Sequence, residues 1–473
     1  MTTASHAAVT AEASNIDSSA RCTLSFLIAS ALAWLLVSGL LAVLHLVQAY
    51  DASFLAHCPI FTYGRLGAMQ ETASIYGWAA NAGLAVALWL LARLSGSPLR
   101  SLNWACGGAL FWNLGVTLGL VGIALGEGTS TSFLHLPYFV QPLLLVAYAA
   151  IAVPGVLAWT GRKQSMTFAS QWYAVAALFL FPWLLSAAQV MLHFAPVRGV
   201  LQAIVEGWYV QSVWYLWLFP LALAAAYYLV PKITGRAIPS YDFSALGFWT
   251  LIVIGDWTAG RHLVGGPVPA WLVSLAIVSC ALLLVHFIIV ALNLRGAFSS
   301  GGPVLKFVAF GLFSYLVGGL WDAVTCMRSV AVITQFTWID QAQTQLALTG
   351  AFSAIVIGAI YFLFPRVTGQ AWPSATLITA HLFTTVIGTL GLVLSLVVAG
   401  WIQGHDLANP AVSFADIAAH TSSWLHFALA AQALLLVGNA LFALHFIRLA
   451  CTKPAASGVS VFAQPPAMEA SAS

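Results

Sequence analysis

Charge is what this sequence has least of. Only 6% of its 473 residues are Asp, Glu, Lys or Arg, against about 25% in a soluble domain. A soluble globular enzyme is excluded on that ground, and a net charge of +3 is too small for a nucleic-acid-binding surface, so no nucleic-acid partner is expected. The six cysteines, at 22, 58, 106, 280, 326 and 451, form no CxxC or CxxCH pair. A zinc ribbon and a covalently attached c-type haem are therefore not indicated, and the cysteines read as small residues of membrane helices. There is no phosphate loop, no HExxH and no Ser-His-Asp arrangement.

What fills the space is hydrocarbon. Hydrophobic residues make up 61% of the chain, and a membrane-spanning helix needs ~20 of them in a row. Twelve such runs are present: 23–49, 67–94, 102–125, 136–159, 169–193, 207–231, 241–261, 269–294, 304–326, 344–365, 376–402 and 417–449. The expectation is an all-α integral membrane protein, one twelve-helix domain over 23–450, with the lipid bilayer as its main partner. The first run is too long, and lacks the small-residue site, for a cleaved signal peptide. The Ala/Ser/Pro-rich ends, 1–22 and 451–473, are expected to be disordered tails. With the N-terminus inside, twelve of the sixteen Lys and Arg fall on the cytoplasmic side and only Arg65, Arg198, Arg261 and Arg328 fall outside. The positive-inside rule then places both termini in the cytoplasm, consistent with a bacterial inner membrane.

This topology assigns a depth to each polar residue. Gln70 and Glu71 in the second run, Gln211 in the sixth, Asp256, Arg261 and His262 in the seventh, and Gln341, Gln343 and Gln345 in the tenth all lie in the outer third. Polar side chains in membrane helices are costly and face interior cavities. Four helices carrying them at one depth predict a shared cavity.

Several stretches resemble one family. "WYVQSVWYLWLFPLALAAAYYLVPKITGR" (208–236) is similar to the sixth helix, and "FWTLIVIGDWTAGRHLVGGPVPAW" (248–271) to the seventh, of the catalytic subunit I of cbb-type haem–copper cytochrome c oxidases. "GRLGAMQETASIYGWAANA" (64–82) resembles the second helix, "GAIYFLFPRVTG" (358–369) the end of the tenth and "VVAGWIQG" (397–404) the eleventh. The resemblance covers nearly all twelve helices in order. It implies a haem–copper oxidase subunit I bundle, with b-type haem and copper held by six histidines in the second, sixth, seventh and tenth helices. The tenth carries a His-x-His pair. Two positions apart on an α-helix is ~200° of rotation, so one helix serves two haems.

This chain departs from that pattern where the cofactors would bind. Gln70 stands at the second-helix haem position, and Gln343 and Gln345 stand at the His-x-His pair. At the copper positions stand Gln211, within "WYVQ" where the family has "WYGH", then Arg261 and His262. The tyrosine beside the copper aligns with Gly255, and a ninth-helix glutamate with Trp321, next to Asp322. Haem iron takes imidazole, thiolate, thioether or phenolate from proteins, and copper takes imidazole or sulfur. Glutamine offers a neutral amide instead. The amides are expected to occupy the former cavity, bonded to one another, to Glu71 or to water. His45, His193, His286, His381, His426 and His445 share no ligand spacing and read as satisfied membrane histidines.

The resulting expectation is a non-catalytic relative with no haem and no copper, acting as a scaffold or partner among other membrane subunits of a respiratory complex. Two alternatives stand beside it. One is an active terminal oxidase or nitric oxide reductase core, which would require b-type haem and copper. The other is a small-molecule or proton transporter reusing the cavity, although the inner half offers few charged residues for a route.

Overall fold

A computed structural model describes residues 3–451, with side chains from residue 14 onward. Eleven helices are long and apolar enough to cross a membrane. In chain order they are α1 (Thr3–Tyr50), α2 (Tyr63–Ser95), α3 (Leu102–Leu125), α4 (Val140–Thr160), α5 (Ala169–Phe194), α6 (Val200–Thr234), then, after α7, α8 (Ala270–Phe298), α9 (Pro303–Thr325), α10 (Trp338–Thr368), α11 (Ala375–Leu407) and α12 (Phe414–Cys451). The seventh run, α7, is α-helical only over Ser244–Ile254. It continues as a tighter 3-10 helix over Gly255–Leu263. Polar Asp256, Arg261 and His262 occupy that second half, so the run counted from hydropathy is a short helix with a polar extension.

Three helices form the middle of the bundle. The apolar windows of α2, α6 and α10 are 100%, 94% and 89% buried in the protein, whereas those of the other eight spans are 39–50% buried. The outer helices therefore present one face to protein and one to lipid, as their exposed Leu, Val and Phe side chains show. Aromatic packing joins the two layers. Phe181 of α5 stacks on Trp217 of α6 at 3.6 Å between centroids, and Trp217 donates to the Tyr148 hydroxyl of α4 at 3.1 Å.

Helix ends follow local chemistry. Within "PKITGR" and "PRVTG", at the ends of α6 and α10, the glycines do the terminating. Gly235 (φ +67°) and Gly369 (φ +73°) adopt the left-handed conformation, while Pro231 and Pro365 remain inside the last turns. A left-handed glycine satisfies the final carbonyls without a Cβ clash.

The expected disordered tail over 1–22 is corrected from residue 14 onward. Those residues extend α1, with Ile16, Asp17 and Ala20 buried. Asp17 accepts the Trp89 indole N–H at 2.9 Å and pairs with Arg93 at 3.5 Å. Arg21 donates to the backbone oxygens of Val367 and Thr368 at the end of α10. Alanine is the best helix former, and these two polar anchors give the Ala/Ser-rich segment something to dock on. The tail expected beyond 451 lies outside the described residues.

Deleting residues 1–22 removes both anchors. It is expected to lower the unfolding temperature of the detergent-solubilised protein, and Asp17→Ala alone to cost about 1–3 kcal/mol by stranding a buried donor. Unchanged unfolding in both variants would show that the segment contributes nothing.

Candidate functional site

Helix α10 begins at Trp338, so Gln341, Gln343 and Gln345 are all helical and successive ones point to opposite sides. Gln343 lines a cavity of ≈190 Å³ together with Gln211 and Tyr215 of α6, Arg261 and His262 of α7, and Asp322 of α9. Gln345 faces the other way. It shares two smaller voids, of ≈20 and ≈50 Å³, with Gln70 of α2 and Gln432 of α12. Gln341 and His45 line the smallest of these. In place of one shared cavity, Gln211, Arg261, His262 and Gln343 gather on one side of α10 and Gln70, Gln341 and Gln345 on the other, while Asp256 accepts from Trp208 and Ser212 and lines neither.

The backbone is irregular at these positions. A π-helical stretch, Ala73–Ala79, follows Gln70 in α2. Another, Val213–Leu218, follows Gln211 in α6, and a third, Leu346–Ser353, follows Gln345 in α10. A fourth, Val190–Phe194, ends α5. The 3-10 segment of α7 carries Arg261 and His262. Such departures from the i→i−4 ladder recur at functional sites. Sequence periodicity gives no sign of a single-turn π-bulge, and none was expected.

The polar contacts differ from the expected amide network. Gln70 donates to Ser74 at 3.1 Å, and Gln345 accepts from Thr349 at 3.1 Å, each within its own helix. Gln211 Oε1 and Gln343 Nε2 are inaccessible and have no hydrogen-bond partner among the described residues. Glu71 turns away from the amides. Its Oε1 accepts the Phe133 backbone N–H at 2.5 Å and meets His135 Nε2 at 3.1 Å, pinning the connection between α3 and α4.

The strongest contact in the larger cavity is an ion pair. Arg261 Nη1 lies 2.5 Å from Asp322 Oδ1, with side chains 9% and 14% exposed. The Tyr215 hydroxyl donates to Asp322 Oδ2 at 2.5 Å, Arg261 Nε donates to His262 Nε2 at 3.1 Å, and Gln335 donates to the Arg261 carbonyl at 2.7 Å. Tyr215 was missed in the sequence. It stands one turn after Gln211 and its ring covers Gly255, where a Cβ would come within 2.9 Å of the Tyr215 Cβ. An i+4 aromatic after a cavity residue, facing a glycine, was the available signal. Ser314 and Gln432 were also missed, because neither lies near a motif.

Three of the remaining histidines bond elsewhere in the bundle, although His381 Nε2 and His445 Nδ1 stay unpaired among the described residues. His286 bonds Gly247 O and the Tyr315 hydroxyl, His381 bonds the Tyr361 hydroxyl, and His193 bonds Gln141 and Thr131. Among the described residues no group of three or more His, Cys, Asp or Glu is placed to hold a metal ion.

A membrane bundle of three inner helices, with polar cavities flanking one of them at a single level, defines an integral membrane protein built around an internal site. Residues 23–435 match the family described as Cytochrome C and Quinol oxidase polypeptide I, and the chain belongs to that family. It is 26% identical over 359 residues to a cbb3-type cytochrome c oxidase subunit CcoN1 from Stutzerimonas stutzeri, covering 73% of this chain and 76% of the relative. It is 24% identical to cytochrome c oxidase subunit 1 from Rhodobacter capsulatus, covering 73% and 68%. It is 23% identical to a cytochrome c oxidase subunit 1 homolog from Agrobacterium tumefaciens, covering 74% and 67%. The fold is similar to that in a cryo-EM structure of a heme-copper terminal oxidase dimer, with a TM-score of 0.71 over 92% of this chain and 85% of the other at 12% identity.

Two outcomes test this site. Removing one partner of a buried ion pair costs about 3–5 kcal/mol, whereas replacing both by apolar residues is near neutral. Asp322→Leu is therefore expected to destabilise strongly and Arg261→Met/Asp322→Leu to recover most of the loss. Equal stability of the single and double variants would remove the pair from the account.

The second outcome concerns pH. Burial alone would lower the pKa of His135, but its bond to Glu71 and that carboxylate's charge outweigh burial and hold the pKa above the ordinary value. A raised histidine stabilises fully below its unfolded pKa of about 6.5 and loses that contribution as pH rises through the folded value. Stability is expected to fall as pH rises above neutrality, and His135→Gln to flatten the profile. A variant as pH-sensitive as the parent would contradict the assignment.

Proposed function

We propose that this chain is a non-catalytic subunit I-like protein, without the haem and copper of its family, that serves as a scaffold or partner among the membrane subunits of a respiratory complex. The distribution of Lys and Arg supports a bacterial inner membrane location with both termini cytoplasmic. Gln70, Gln343 and Gln345 are read as degenerate haem-ligand positions, and Gln211, Arg261 and His262 as degenerate copper positions.

The observation that carries this reading is the donor chemistry of the larger cavity. A guanidinium already bound to Asp322 stands beside the single imidazole His262, and the two facing side chains are amides. A metal cation meets a fixed positive charge there in place of lone pairs. On the other side of α10 the facing pair Gln70 and Gln345 is again amide on amide, with His45 the one imidazole in the wall. Haem in this family supplies electron transfer and oxygen chemistry, and these residues do not fit it. The lipid-facing exterior, the twelve-run architecture and the naming of relatives as subunits support retention of a structural place in an assembly.

Haem per polypeptide, measured by pyridine haemochrome on the tagged and purified chain, is expected to be far below one. Oxygen consumption with reduced cytochrome c is expected to be absent, and expression under haem depletion is expected to leave yield and thermal stability unchanged. Other membrane subunits are expected to copurify. Near-stoichiometric haem with cyanide-sensitive turnover would overturn the reading in favour of an active oxidase, and a chain that purifies alone under mild detergent would remove the scaffold role.

A further inference from the structure

Helix α5 starts at Ala169 beside the ends of α2 at Ser95 and α6 at Thr234, and a cleft opens between these three ends. Two adjoining volumes of ≈300 and ≈740 Å³ make it up, with Phe168, Pro231, Ile238 and Tyr241 in the wall of both. The first reaches inward to Leu94, Tyr227 and Tyr228 and carries Lys232. The second carries Lys163 and Met166. Bonds within the protein fix these walls. The Tyr241 hydroxyl accepts the Ala169 N–H at 2.9 Å, the Trp172 indole donates to Thr167 at 2.7 Å, and the Lys163 N–H donates to the Ser95 carbonyl at 3.0 Å.

No single solvent matches this wall. Met166 and Phe168 are 78% and 39% exposed, and apolar area in water is unfavourable. Lys163 and Lys232 are exposed as well, and an ammonium is costly in hydrocarbon. An amphiphile meets both demands at once. The charge fixes its sign. No Asp or Glu lines either volume, and Asp242, beside Tyr241, faces elsewhere as an exposed residue. Behind Tyr228 stand Arg93 and Arg366, with Asp17 as their one carboxylate, so positive charge is in excess there too.

We propose that this cleft binds an anionic phospholipid of the cytoplasmic leaflet, its phosphate held by Lys163 and Lys232 and an acyl chain lying along Phe168, Ile238 and Leu94. The leaflet follows from the orientation proposed above, and the binding itself is independent of haem and copper content.

Size and setting agree with that class. Pockets of about 300–1,000 Å³ enclose molecules of drug size, so the two volumes together accommodate a glycerophosphate headgroup and the start of a chain. The cleft lies at the ends of spanning helices, the level at which lipid phosphates sit, and its three tyrosines are of the type that collects there. Basic pockets between spanning helices on the cytoplasmic side take anionic headgroups. A zwitterionic lipid would bring its own cation toward the lysines, and free phosphate would leave Met166 and Phe168 uncovered.

The probe is phosphatidylglycerol, titrated into the delipidated full chain in mild detergent and followed by native mass spectrometry and thermal unfolding. Phosphatidylcholine and inorganic phosphate are the comparisons. One saturable phosphatidylglycerol per chain is expected, bound about tenfold tighter than phosphatidylcholine and raising the unfolding temperature. Lys232→Gln is expected to weaken it about fivefold, and Lys163→Gln/Lys232→Gln further. Ala237→Trp narrows the larger volume without changing charge, at an exposed loop position, and is expected to weaken binding about as much as the double variant. Lys306→Gln removes the same charge from an exposed site outside the cleft and is expected to change nothing. Should the double variant fail to fold, Ala237→Trp and Lys232→Gln carry the test. Equal binding of the two lipids overturns the proposal, as does a Lys306→Gln effect equal to that of Lys232→Gln, which would mean general surface attraction. Displacement of the lipid by inorganic phosphate at equal concentration would reduce the cleft to an anion site. Absence of saturable binding, as a cleft shaped for a protein segment would give, also defeats it.

Discussion

The hydrocarbon core of a bilayer supplies no partner for a backbone N–H or C=O, and that constraint organises the whole molecule. Regular α-helices meet it without help, and the lipid-facing helices are regular along most of their length. Departures from the α-helical ladder leave carbonyls and amides unpaired, so they survive only where protein surrounds them. Three of the four π-helical stretches lie in α2, α6 and α10, the three innermost helices. They are cross-braced by indoles. Trp112 donates to the Tyr76 carbonyl within the first stretch at 2.8 Å, and Trp78 in that stretch donates to Ser353 in the third at 2.8 Å. The irregular backbone and the cavities therefore occur together for one reason: the centre of the bundle is the place where other groups stand in for the lost ladder.

The Arg261–Asp322 pair follows the same logic at the level of side chains. Neither charge is tolerable alone in a mostly buried site, and the attraction between them repays desolvation only when their remaining polar atoms are also bonded. Tyr215 bonds Asp322, and Gln335 holds the Arg261 backbone. The pair also ties the 3-10 end of α7, which otherwise packs on α6 and α8, to α9. A positive charge at 261 thus has a structural partner that the sequence placed sixty-one positions away and that hydropathy alone could not connect.

Much of the architecture was legible before the structure. Apolar runs of spanning length mark eleven of the twelve helices, because lipid demands hydropathy regardless of packing, whereas the run read over 241–261 is the short α7 with its polar 3-10 extension. The polar residues of α2, α6, α7 and α10 could be placed at one depth from topology, and all but Glu71 and Asp256 line the cavities beside α10. What could not be read depends on contacts between distant segments. The docking of residues 14–22 needs Trp89, Arg93 and the end of α10, none of which composition reveals. The π-bulges arise from inner-helix packing and leave the hydrophobic period almost unchanged. Glu71 looked like a partner for the glutamines because it adjoins Gln70, but one residue along a helix is ~100° of rotation, and it faces the α3–α4 connection instead.

A fold of this kind does not need polar side chains at 211 and 343. Leucine has comparable length, would pack against Trp214, Phe219 and Tyr315, and would leave no orphaned amide in a mostly apolar site. Fold and function are separable in this family for that reason: the bilayer fixes the exterior and the inner helices fix the backbone, while a handful of side chains decide the chemistry. Selection for stability alone would favour hydrocarbon at those positions. Glutamines with unpaired amides run against that direction. Positions that break a local rule without a structural gain are expected at functional sites, and Gln211 and Gln343 are two such positions lining one cavity.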